Sequence, residues 1–350
     1  MRSEHRTTPV RSRERSTVTS ATAVAHPNIA LIKYWGKRDE HLVLPWTDSL
    51  SMTLDIFPTT TRVRLAPEAE HDEVTLDGVP VAGEARRRVV AFLELVRERA
   101  GLPQRAVVET ENTVPTGAGL ASSASGFAAL AVAAASTYGL DLDATALSRL
   151  ARRGSGSASR SIFGGFALWH AGRHTGTATD TDLSSYAEPV PAGGLDPALV
   201  IAVVDAGPKA VPSREAMRRT VETSPLYRPW AASSKDDLVG MREALRRADL
   251  DAVGEVAERN ALGMHATMLA ARPAVRYLSA ATLTVLDSVL RLRRDGTPAY
   301  ATMDAGPNVK VLCRRADAER VAEAVRGTVP GCSVHIAGPG PGARLLNEGG

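Results

Sequence analysis

Cysteine is nearly absent from this chain, which has 350 residues but only Cys313 and Cys332. Two cysteines in so long a chain do not make a disulfide framework. They also lie too far apart in sequence to form the C-x-x-C pair of a typical metal site. Because this scarcity fits a reducing compartment, we expect the protein to be cytoplasmic.

Long apolar runs and a large excess of one charge are also missing. No stretch of about 18 apolar residues occurs, so the sequence predicts no membrane span and no membrane partner. Lys and Arg total 42 against 39 Asp and Glu, and they are dispersed along the chain. Since nucleic-acid binders usually concentrate basic charge on one face, we expect no nucleic-acid partner. A small phosphorylated ligand would need only a few of these cations.

The N-terminal segment lacks the apolar core of a signal peptide. It is rich in Arg, Ser and Thr, but Glu4, Glu14 and the lack of an apolar face argue against a transit peptide. We predict a disordered tail over residues 1–20, with the ordered chain beginning near Thr22.

Hydrophobic patterning predicts an α+β protein with two domains, residues 21–195 and 196–347. In the first, strand-like segments surround a helix that stops at Gly101 and a long helix rich in Ala. In the second, helical patterns alternate with a few strands, which is typical of a ferredoxin-like α+β domain. Residues 161–172 predict a strand with a Gly-Gly break, and residues 332–338 predict the last strand.

Aromatic residues are scarce, at 4% of the chain, yet Tyr34 and Trp35 lie between Lys33 and Lys37 after an apolar run. One interpretation is packing by Trp35 or a cation–π contact, with both lysines in solvent. Strand alternation places Lys33 and Trp35 on one face and Tyr34 on the other. Alternation alone therefore does not bring both lysines and Tyr34 into one pocket.

The segment PTGAGLASSASG, residues 115–126, combines glycines with hydroxyl groups ahead of a helix. Gly117 and Gly119 would allow backbone N–H groups to approach a phosphate at the helix N-terminus, and Ser122 and Ser123 could donate hydrogen bonds. No G-K-[ST] follows, so this is not a Walker A loop. A glycine turn before a closely packed helix explains the same residues equally well.

Three other segments contain candidate ligand-binding groups. Ser155, Ser157 and Arg160 lie in GSGSASRS, where the guanidinium suits a carboxylate or phosphate. Ser213 and Arg214 lie at a predicted helix start, although Arg214 alone would be read as a surface residue. The ordinary interpretation of the GSGSASRS loop is likewise a connection with a solvated arginine.

Asp304 follows an apolar strand and precedes the Gly-Pro-Asn turn. A carboxylate in this position most often forms a turn or caps a helix. In a partly buried site beside a lysine it could instead serve as a general base. His26 and His265 stand alone, and no cluster of His, Asp or Glu has the spacing of metal ligands, so we predict no protein metal site.

Four segments in order, HPNIALIKYWGKRD, TVPTGAGLASSASGFAAL, RRGSGSASRSIFGGF and TMDAGPN, resemble the mevalonate diphosphate decarboxylase family of the GHMP kinase superfamily. The resemblance extends from about residue 20 to about residue 345. It implies an N-terminal domain like ribosomal protein S5 domain 2 and a ferredoxin-like C-terminal domain. It also implies that ATP phosphorylates the 3-hydroxyl of mevalonate 5-diphosphate, after which phosphate and CO2 leave to give isopentenyl diphosphate.

The resemblance assigns roles to the candidate residues. Asp304 would be the base, Lys33 and Lys37 would orient it and the reacting oxygens, and Arg160 would bind the substrate carboxylate. Mg²⁺ would bridge the ATP phosphates. The residues expected to hold ATP are Gly117, Gly119, Ser122, Ser123 and Lys37. The residues expected to hold the substrate are Asn28, Tyr34, Lys37, Ser155, Ser157, Arg160, Ser213 and Arg214.

The resemblance also implies a homodimer, although no interface stripe is visible in the sequence. It requires the strand to end near Tyr34, the chain to turn at Gly36, Lys33 to reach Asp304, and Trp35 to be mostly a packing residue. The sequence departs from the common pattern of the family in three places. These are His26-Pro27 beside Asn28, Gly117 in place of Ala, and a C-terminal GPGPGA in place of GPGPQ.

Two alternative functions remain open from the sequence. The first is a related enzyme that acts on mevalonate or its 5-phosphate, as a kinase or a decarboxylase. The second is a non-catalytic nucleotide- or RNA-binding module, which would bind nucleic acid with a steep salt dependence. The presence of a candidate base and the dispersed basic residues make the second alternative weaker.

Overall fold

A computed structural model describes residues 19–114, 122–173, 176–207 and 209–347. Its strands are β1 (Ser20–Ala25), β2 (Asn28–Ile32), β3 (Lys37–Asp39), β4 (Leu44–Pro45), β5 (Ser49–Thr53), β6 (Thr59–Ala66), β7 (Glu73–Leu76), β8 (Val79–Pro80), β9 (Arg105–Asn112), β10 (Phe166–Trp169), β11 (Ala187–Val190), β12 (Pro197–Val203), β13 (Ala299–Met303), β14 (Val309–Arg314), β15 (Ser333–Ala337) and β16 (Arg344–Leu346).

The helices are α1 (Gly83–Ala100), α2 (Ser122–Thr137), α3 (Ala144–Gly154), α4 (Ala158–Ser161), α5 (Ala178–Leu183), α6 (Ser213–Thr223), α7 (Tyr227–Arg246), α8 (Leu250–Leu269), α9 (Ala280–Arg294) and α10 (Ala318–Arg326), with a 3₁₀ turn at Arg315–Asp317. The protein is therefore a mixed α+β protein, as predicted. Within the described residues, no helix is both long and apolar enough to cross a bilayer.

The first sheet has the strand order β16-β1-β6-β9-β7-β8. Helix α2 packs on β1 and β6 with a face made largely of alanine. Such small side chains let a helix backbone approach a sheet closely, so the start of α2 is held firmly against this layer. Phe92, Leu93 and Val96 of α1 complete the core on the same side.

The second sheet, β11-β10-β5-β2, and the third sheet, β13-β14-β12-β15, share one apolar core with α7 and α8. Ile29 and Met52 of the second sheet belong to the same buried cluster as Ile201 and Leu312 of the third. This shared core brings the end of β2 close to the end of β13. The two strand ends carry Lys33 and Asp304.

Strand alternation divides the side chains of β14 between two layers. Val309, Val311 and Cys313 pack with α9 and α10, whereas Leu312 packs toward α7 and α8. Lys310 lies two residues before Leu312 and so shares its face of β14. The side chain of Lys310 is therefore buried on the side that packs toward α7 and α8. A charged side chain within an apolar layer indicates a specific partner.

The structure confirms several predicted elements and corrects others. Helix α1 ends at Gly101, which has a φ of 64° as its left-handed cap. The strand predicted over residues 161–172 is confined to Phe166–Trp169, because Ser161 belongs to α4. The strand predicted over residues 332–338 is present as β15, but it is not the last strand, since β16 follows and pairs with β1, where Leu346 lies opposite Thr22.

The return of β16 to the first sheet means that the chain crosses back from the second half to the first. The division into residues 21–195 and 196–347 stays a prediction. The disordered tail predicted over residues 1–20 falls, up to residue 18, outside the described residues, and Ser20 is the first residue of β1.

Candidate active site

Lys33 lies directly after β2, and its side chain is only 1% exposed. Its Nζ donates hydrogen bonds to Oδ1 of Asp304 at 2.8 Å and to the carbonyl oxygen of Ala30 at 2.7 Å. Its backbone N–H donates to Oδ1 of Asn260 on α8 at 2.8 Å. The predicted contact between Lys33 and Asp304 is confirmed, and the ammonium is held from both sides.

The turn after Lys33 depends on Gly36. This residue has a φ of 93°, and a Cβ there would lie 2.3 Å from the hydroxyl oxygen of Tyr227. The same hydroxyl donates to the carbonyl oxygen of Trp35 at 2.8 Å. Trp35 is buried in an apolar cluster, as predicted, while β2 ends at Ile32, two residues earlier than expected.

Lys37 begins β3 after this turn, and its ammonium pairs with Glu40. Of the two lysines expected to orient Asp304, Lys33 alone lies within ion-pair distance of it among the described residues. Lys37 nevertheless lines the same cavity as Asp304. Its position therefore suits contact with a ligand rather than support of the carboxylate.

Asp304 follows β13 and is paired with a second lysine that the sequence did not indicate. Nζ of Lys310 lies 3.4 Å from Oδ2 of Asp304. Burial alone would raise the pKa of Asp304, but the charges and hydrogen bonds of Lys33 and Lys310 outweigh it and hold that pKa well below its ordinary value. Burial lowers the pKa of Lys33 despite the attraction of Asp304. Asp304 is thus a carboxylate across the physiological range.

Arg160, on the short helix α4, is 2% exposed. Its guanidinium donates to Oγ of Ser51 at 2.9 Å, to Oγ of Ser49 at 2.5 Å and, at 3.4 Å, to Oδ1 of Asn28. Among the described residues, no carboxylate lies within ion-pair distance of it. Burial lowers the pKa of Arg160 to about 10, although the charge of Asp304 opposes the shift. A buried guanidinium supported only by neutral groups is suited to an incoming anion.

Asn28 fixes the loop that carries Arg160. Its side-chain amide donates to the carbonyl oxygen of Ser157 at 3.0 Å and to Oγ of Ser161 at 2.8 Å. Ser155 is linked by weak hydroxyl contacts to Ser123 of α2 at 3.3 Å and to Ser157 at 3.4 Å. Residues from β2, α2 and the loop before α4 therefore converge on one place.

That place is a cavity of about 390 Å³. The predicted site residues that line it are Asn28, Lys33, Tyr34, Lys37, Ser123, Ser155, Ser157, Arg160, Ser213, Arg214 and Asp304. Ser122 lines a neighbouring cavity instead. Gly117 and Gly119 lie outside the described residues, so their predicted role stays a prediction.

Sequence reasoning missed three cationic residues of the site. Arg88 of α1 lines the cavity and donates to the carbonyl oxygen of Gly154 at 2.9 Å. Burial lowers the pKa of Arg88 to about 10, and the nearby charge of Arg214 adds to this effect. Lys209 lines the cavity and donates to Oγ of Ser213 at 3.1 Å. Lys310 acts from behind Asp304 and does not line the cavity.

The missed residues had little signal in the sequence. Arg88 is the last of three consecutive arginines on a helix, and nothing local distinguishes it from a solvated neighbour. Lys209 precedes Ser213 and Arg214 by a few residues, so a cation count around that segment would have found it. Lys310 reads as an ordinary strand position.

A second cavity of about 230 Å³ adjoins the first and shares Arg88 and Ser123 with it. Its walls are mainly apolar side chains of β7, β9, α1 and α2, including Leu76 and Phe127, with Asn112 among the polar groups. In the described part of the chain, no group of three or more His, Cys, Asp and Glu could hold a metal ion.

Comparison with known proteins identifies the family. Residues 25–184 match the model of the diphosphomevalonate decarboxylase-like N-terminal domain, and residues 199–337 match that of the mevalonate 5-diphosphate decarboxylase C-terminal domain. The chain belongs to the mevalonate diphosphate decarboxylase family. Members of this family with known sequences and structures resemble it over most of its length.

Diphosphomevalonate decarboxylase mvd1 of Aspergillus fumigatus is 38% identical over 333 residues, which cover 89% of this chain and 80% of that protein. Phosphomevalonate decarboxylase of Haloferax volcanii is 33% identical, covering 94% of this chain and 98% of the relative. A solved structure of MDDEF in complex with MVAPP, AMPPCP and magnesium is 44% identical, with a TM-score of 0.88 and coverage of 94% of this chain and 99% of that one. The two-domain arrangement of the decarboxylase family is therefore the fold of this chain.

Proposed function

We propose that this protein converts mevalonate 5-diphosphate and ATP into isopentenyl diphosphate, ADP, phosphate and CO2. The observation that carries the proposal is one cavity in which an ionised Asp304, paired with Lys33, lies near a buried Arg160 that lacks a carboxylate partner among the described residues. The matched family models and the MDDEF complex with MVAPP support the same reaction.

The buried end of the cavity, around Lys33, Arg160 and Asp304, suits the reacting part of the substrate. Asp304 would accept the proton of the tertiary 3-hydroxyl as the γ-phosphoryl group arrives. Because the pKa of Asp304 is low, this carboxylate would take the proton only as the oxygen loses its basicity during transfer. Lys33 and Lys209 would stabilise the charge on the transferred group, and Arg160 would hold the substrate carboxylate.

The open end of the cavity suits the 5-diphosphate. Ser155, Ser157 and Ser213 offer hydroxyl donors, and Arg88 and Arg214 offer guanidinium groups on the same cavity. The remaining groups proposed to bind the substrate are Asn28, Tyr34 and Lys37. Two guanidiniums with several hydroxyls give more positive charge and more donors than a monophosphate requires, which favours a diphosphate.

ATP would enter from the side of the second cavity. The apolar walls near Leu76 and Phe127 suit a purine ring, and Ser123 lies where this cavity meets the first. Ser122, Gly117, Gly119 and Lys37 are proposed to contact the nucleotide with it. Mg²⁺, which the AMPPCP complex of MDDEF contains, would neutralise charge on the phosphates. The cationic surroundings of Ser123 fit such a polyphosphate.

The residues of the buried end also explain how the second half of the reaction is guided. When the C3–O bond breaks, phosphate leaves with the bonding electrons. The bond between the carboxylate carbon and C2 then breaks, and its electron pair forms the C2–C3 double bond as CO2 departs. Arg160, fixed by Ser49 and Ser51, would orient the carboxylate for this step. The enclosed position of Lys33 and Arg160 would limit attack by water on C3.

A second candidate substrate is mevalonate 5-phosphate, because the phosphomevalonate decarboxylase of H. volcanii is 33% identical over nearly its whole length. Arg88 and Arg214 distinguish the two candidates in principle, since a diphosphate can engage both guanidiniums more fully than a monophosphate can.

Product analysis tests these assignments. Purified protein is incubated with ATP, Mg²⁺ and each of mevalonate, mevalonate 5-phosphate and mevalonate 5-diphosphate, and ADP, phosphate, CO2 and the organic product are measured. We expect equal amounts of ADP and CO2 with the diphosphate alone. ADP without CO2 would support the kinase alternative, and CO2 from the monophosphate would replace the proposed substrate.

We also propose the finer assignments of fold, assembly and location. The first sheet with α2 is consistent with an S5-domain-2-like fold, and α9 and α10 on one face of the third sheet are consistent with a ferredoxin-like domain. Two pairs of exposed leucines seven residues apart support a homodimer, namely Leu262 and Leu269 on α8 and Leu283 and Leu290 on α9. A cytoplasmic location is supported by the few cysteines.

A further inference from the structure

Lys310 occupies an unusual position for a lysine. It lies within β14, between β12 and β13, opposite Ile201 on one neighbour and Thr302 on the other. Its side chain is 2% exposed and faces the layer that contains Leu312 and Met241. Placing an ammonium in an apolar layer is unfavourable unless other charges compensate. Its presence there therefore calls for a specific role.

The contacts of Asp304 indicate that role. Lys33 holds Oδ1 at 2.8 Å and Lys310 approaches Oδ2 at 3.4 Å, so each carboxylate oxygen has its own ammonium. Lys33 and Asp304 line the cavity, whereas Lys310 does not. A ligand in the cavity would meet Asp304 but not Lys310. Lys310 would therefore act on the reaction from behind the site, through its contact with Asp304 and through its charge near Lys33 and Lys209, which both line the cavity.

We propose that Lys310 is a positioning residue, which fixes Oδ2 of Asp304 so that the carboxylate presents one defined edge to the reacting hydroxyl. The proposal rests on the function proposed above for this site. Thr302 of β13 pairs with Lys310 in the sheet. The backbone of Lys310 is therefore fixed relative to the end of β13, which Asp304 follows. Rigid sheet positions hold geometry more tightly than loops do.

The charges around Asp304 set the expected effect of removing Lys310. The titratable and charged groups around Asp304 come from five elements or their ends. They are Lys33 after β2, Arg160 on α4, Lys209 after β12, His265 on α8 and Lys310 on β14. Cations therefore outnumber the one carboxylate. Removing one buried cation from this set relieves repulsion while Lys33 still pairs with Asp304. We expect the fold to tolerate the change.

The test compares Lys310→Met, which keeps the length of the side chain without its charge, with Lys310→Arg, which keeps the charge. We expect Lys310→Met to lower kcat at least about tenfold, part of the ~100- to 10,000-fold contribution of a positioned base. KM for mevalonate 5-diphosphate should stay within about twofold of wild type, because Lys310 does not line the substrate cavity. The acid limb of the kcat profile should move to higher pH, and Lys310→Arg should restore part of the rate.

A control separates positioning from the simple loss of an ion-paired cation. Arg293, on α9, pairs with Glu258 at 2.7 Å in the same half of the protein, away from the cavity. We expect Arg293→Met to lower Tm without moving the acid limb. Lys310→Met should do the opposite and keep a Tm equal to or above that of wild type.

A readout independent of turnover keeps this test separate from the proposed substrate. The carboxyl carbon of Asp304, assigned by comparison with Asp304→Asn, is followed by ¹³C NMR as the pH is lowered. We expect it to begin to titrate at higher pH in Lys310→Met than in wild type. Identical titration in both proteins, or a Lys310→Met enzyme with wild-type kcat and pH profile, would overturn the proposal. Wild-type protein that is inactive on mevalonate 5-diphosphate would overturn only the proposed function.

Discussion

The two ends of the cavity differ in how their charges are held. At the buried end, Lys33 and Lys310 are 1% and 2% exposed, and both contact Asp304. At the open end, the side chain of Arg214 is 52% exposed and lies 3.9 Å from Glu84, which is itself exposed. Charges at the first end interact through a poorly polarisable medium, whereas those at the second are screened by water and salt.

This difference places the expected sources of rate and of affinity in two regions of one cavity. Bond making and breaking benefit from groups that need no rearrangement when the charge develops, which describes the buried end. Holding a diphosphate requires charge and donors but tolerates mobile side chains, which describes the open end. Substitutions at the buried end should therefore act mainly on kcat, and those at the open end mainly on KM.

The largest effect is expected for Asp304→Asn. This change removes the proton acceptor and leaves Lys33 and Lys310 without their carboxylate, so kcat should fall by about 100- to 10,000-fold. KM for mevalonate 5-diphosphate should change much less, since the open end remains intact. Steady-state kinetics measures both, and a thermal melt controls for folding. Turnover near that of wild type would remove Asp304 from the proposed mechanism.

A smaller loss is expected for Arg160→Gln. Without the guanidinium, the substrate carboxylate would lose a charge-assisted hydrogen bond, worth about 1.5–3 kcal/mol, so kcat/KM should fall by roughly 10- to 100-fold. Arg38→Gln is the matched control, because Arg38 donates to the carbonyl oxygen of Ala171 and does not line the cavity. Equal losses in the two variants would contradict a role for Arg160 in binding the carboxylate.

Much of this contrast could be predicted from the sequence, because the residues at both ends lie in short segments of recognisable composition. Arg160 is in the Ser-rich loop and Asp304 is in the turn after an apolar strand. The alternation of apolar residues also predicted most strands and helices, including α1 and its stop at Gly101. Local patterns of this kind depend on neighbours in sequence, which a reader of the sequence can see.

What the sequence did not provide was the contacts between distant segments. Lys310 is indistinguishable from a solvated strand residue until β14 is placed between β12 and β13. Arg88 reaches the cavity only because α1 packs beside α2, and β16 pairs with β1 across more than 300 residues of chain. The choice of partner for each strand is set by the packing of whole layers, for which local propensity gives no information.

The open end can be probed with Arg214→Met. We expect kcat/KM for mevalonate 5-diphosphate to fall about tenfold or less, mainly through KM, because exposed charge pairs are each worth about 1 kcal/mol or less and a hydrogen bond to a charged group somewhat more. The loss should shrink as salt is raised, and it should be smaller with mevalonate 5-phosphate as the substrate. Arg218→Met, one helical turn further along α6, is the control, since Arg218 is exposed and pairs with Glu222.

The smallest effect concerns the stability of the buried end rather than its activity. Burial lowers the pKa of His265 to about 4, and the nearby charge of Lys33 adds to this effect. The unfolded chain binds this proton near pH 6.5 while the folded chain does not, so protonation favours unfolding as the pH falls through this window. Between pH 7 and pH 5 the free energy of unfolding should decrease by about 2 kcal/mol through this group.

Urea unfolding at the two pH values measures this contribution when wild type is compared with His265→Gln. We expect the variant to lose less stability than wild type on acidification, whereas His71→Gln, at an exposed position, should behave as wild type does. An equal loss in wild type and His265→Gln would mean that His265 carries no such pH dependence. The expected result would instead show that the burial of His265 on α8, with the charge of Lys33 nearby, makes this part of the protein less stable in acid.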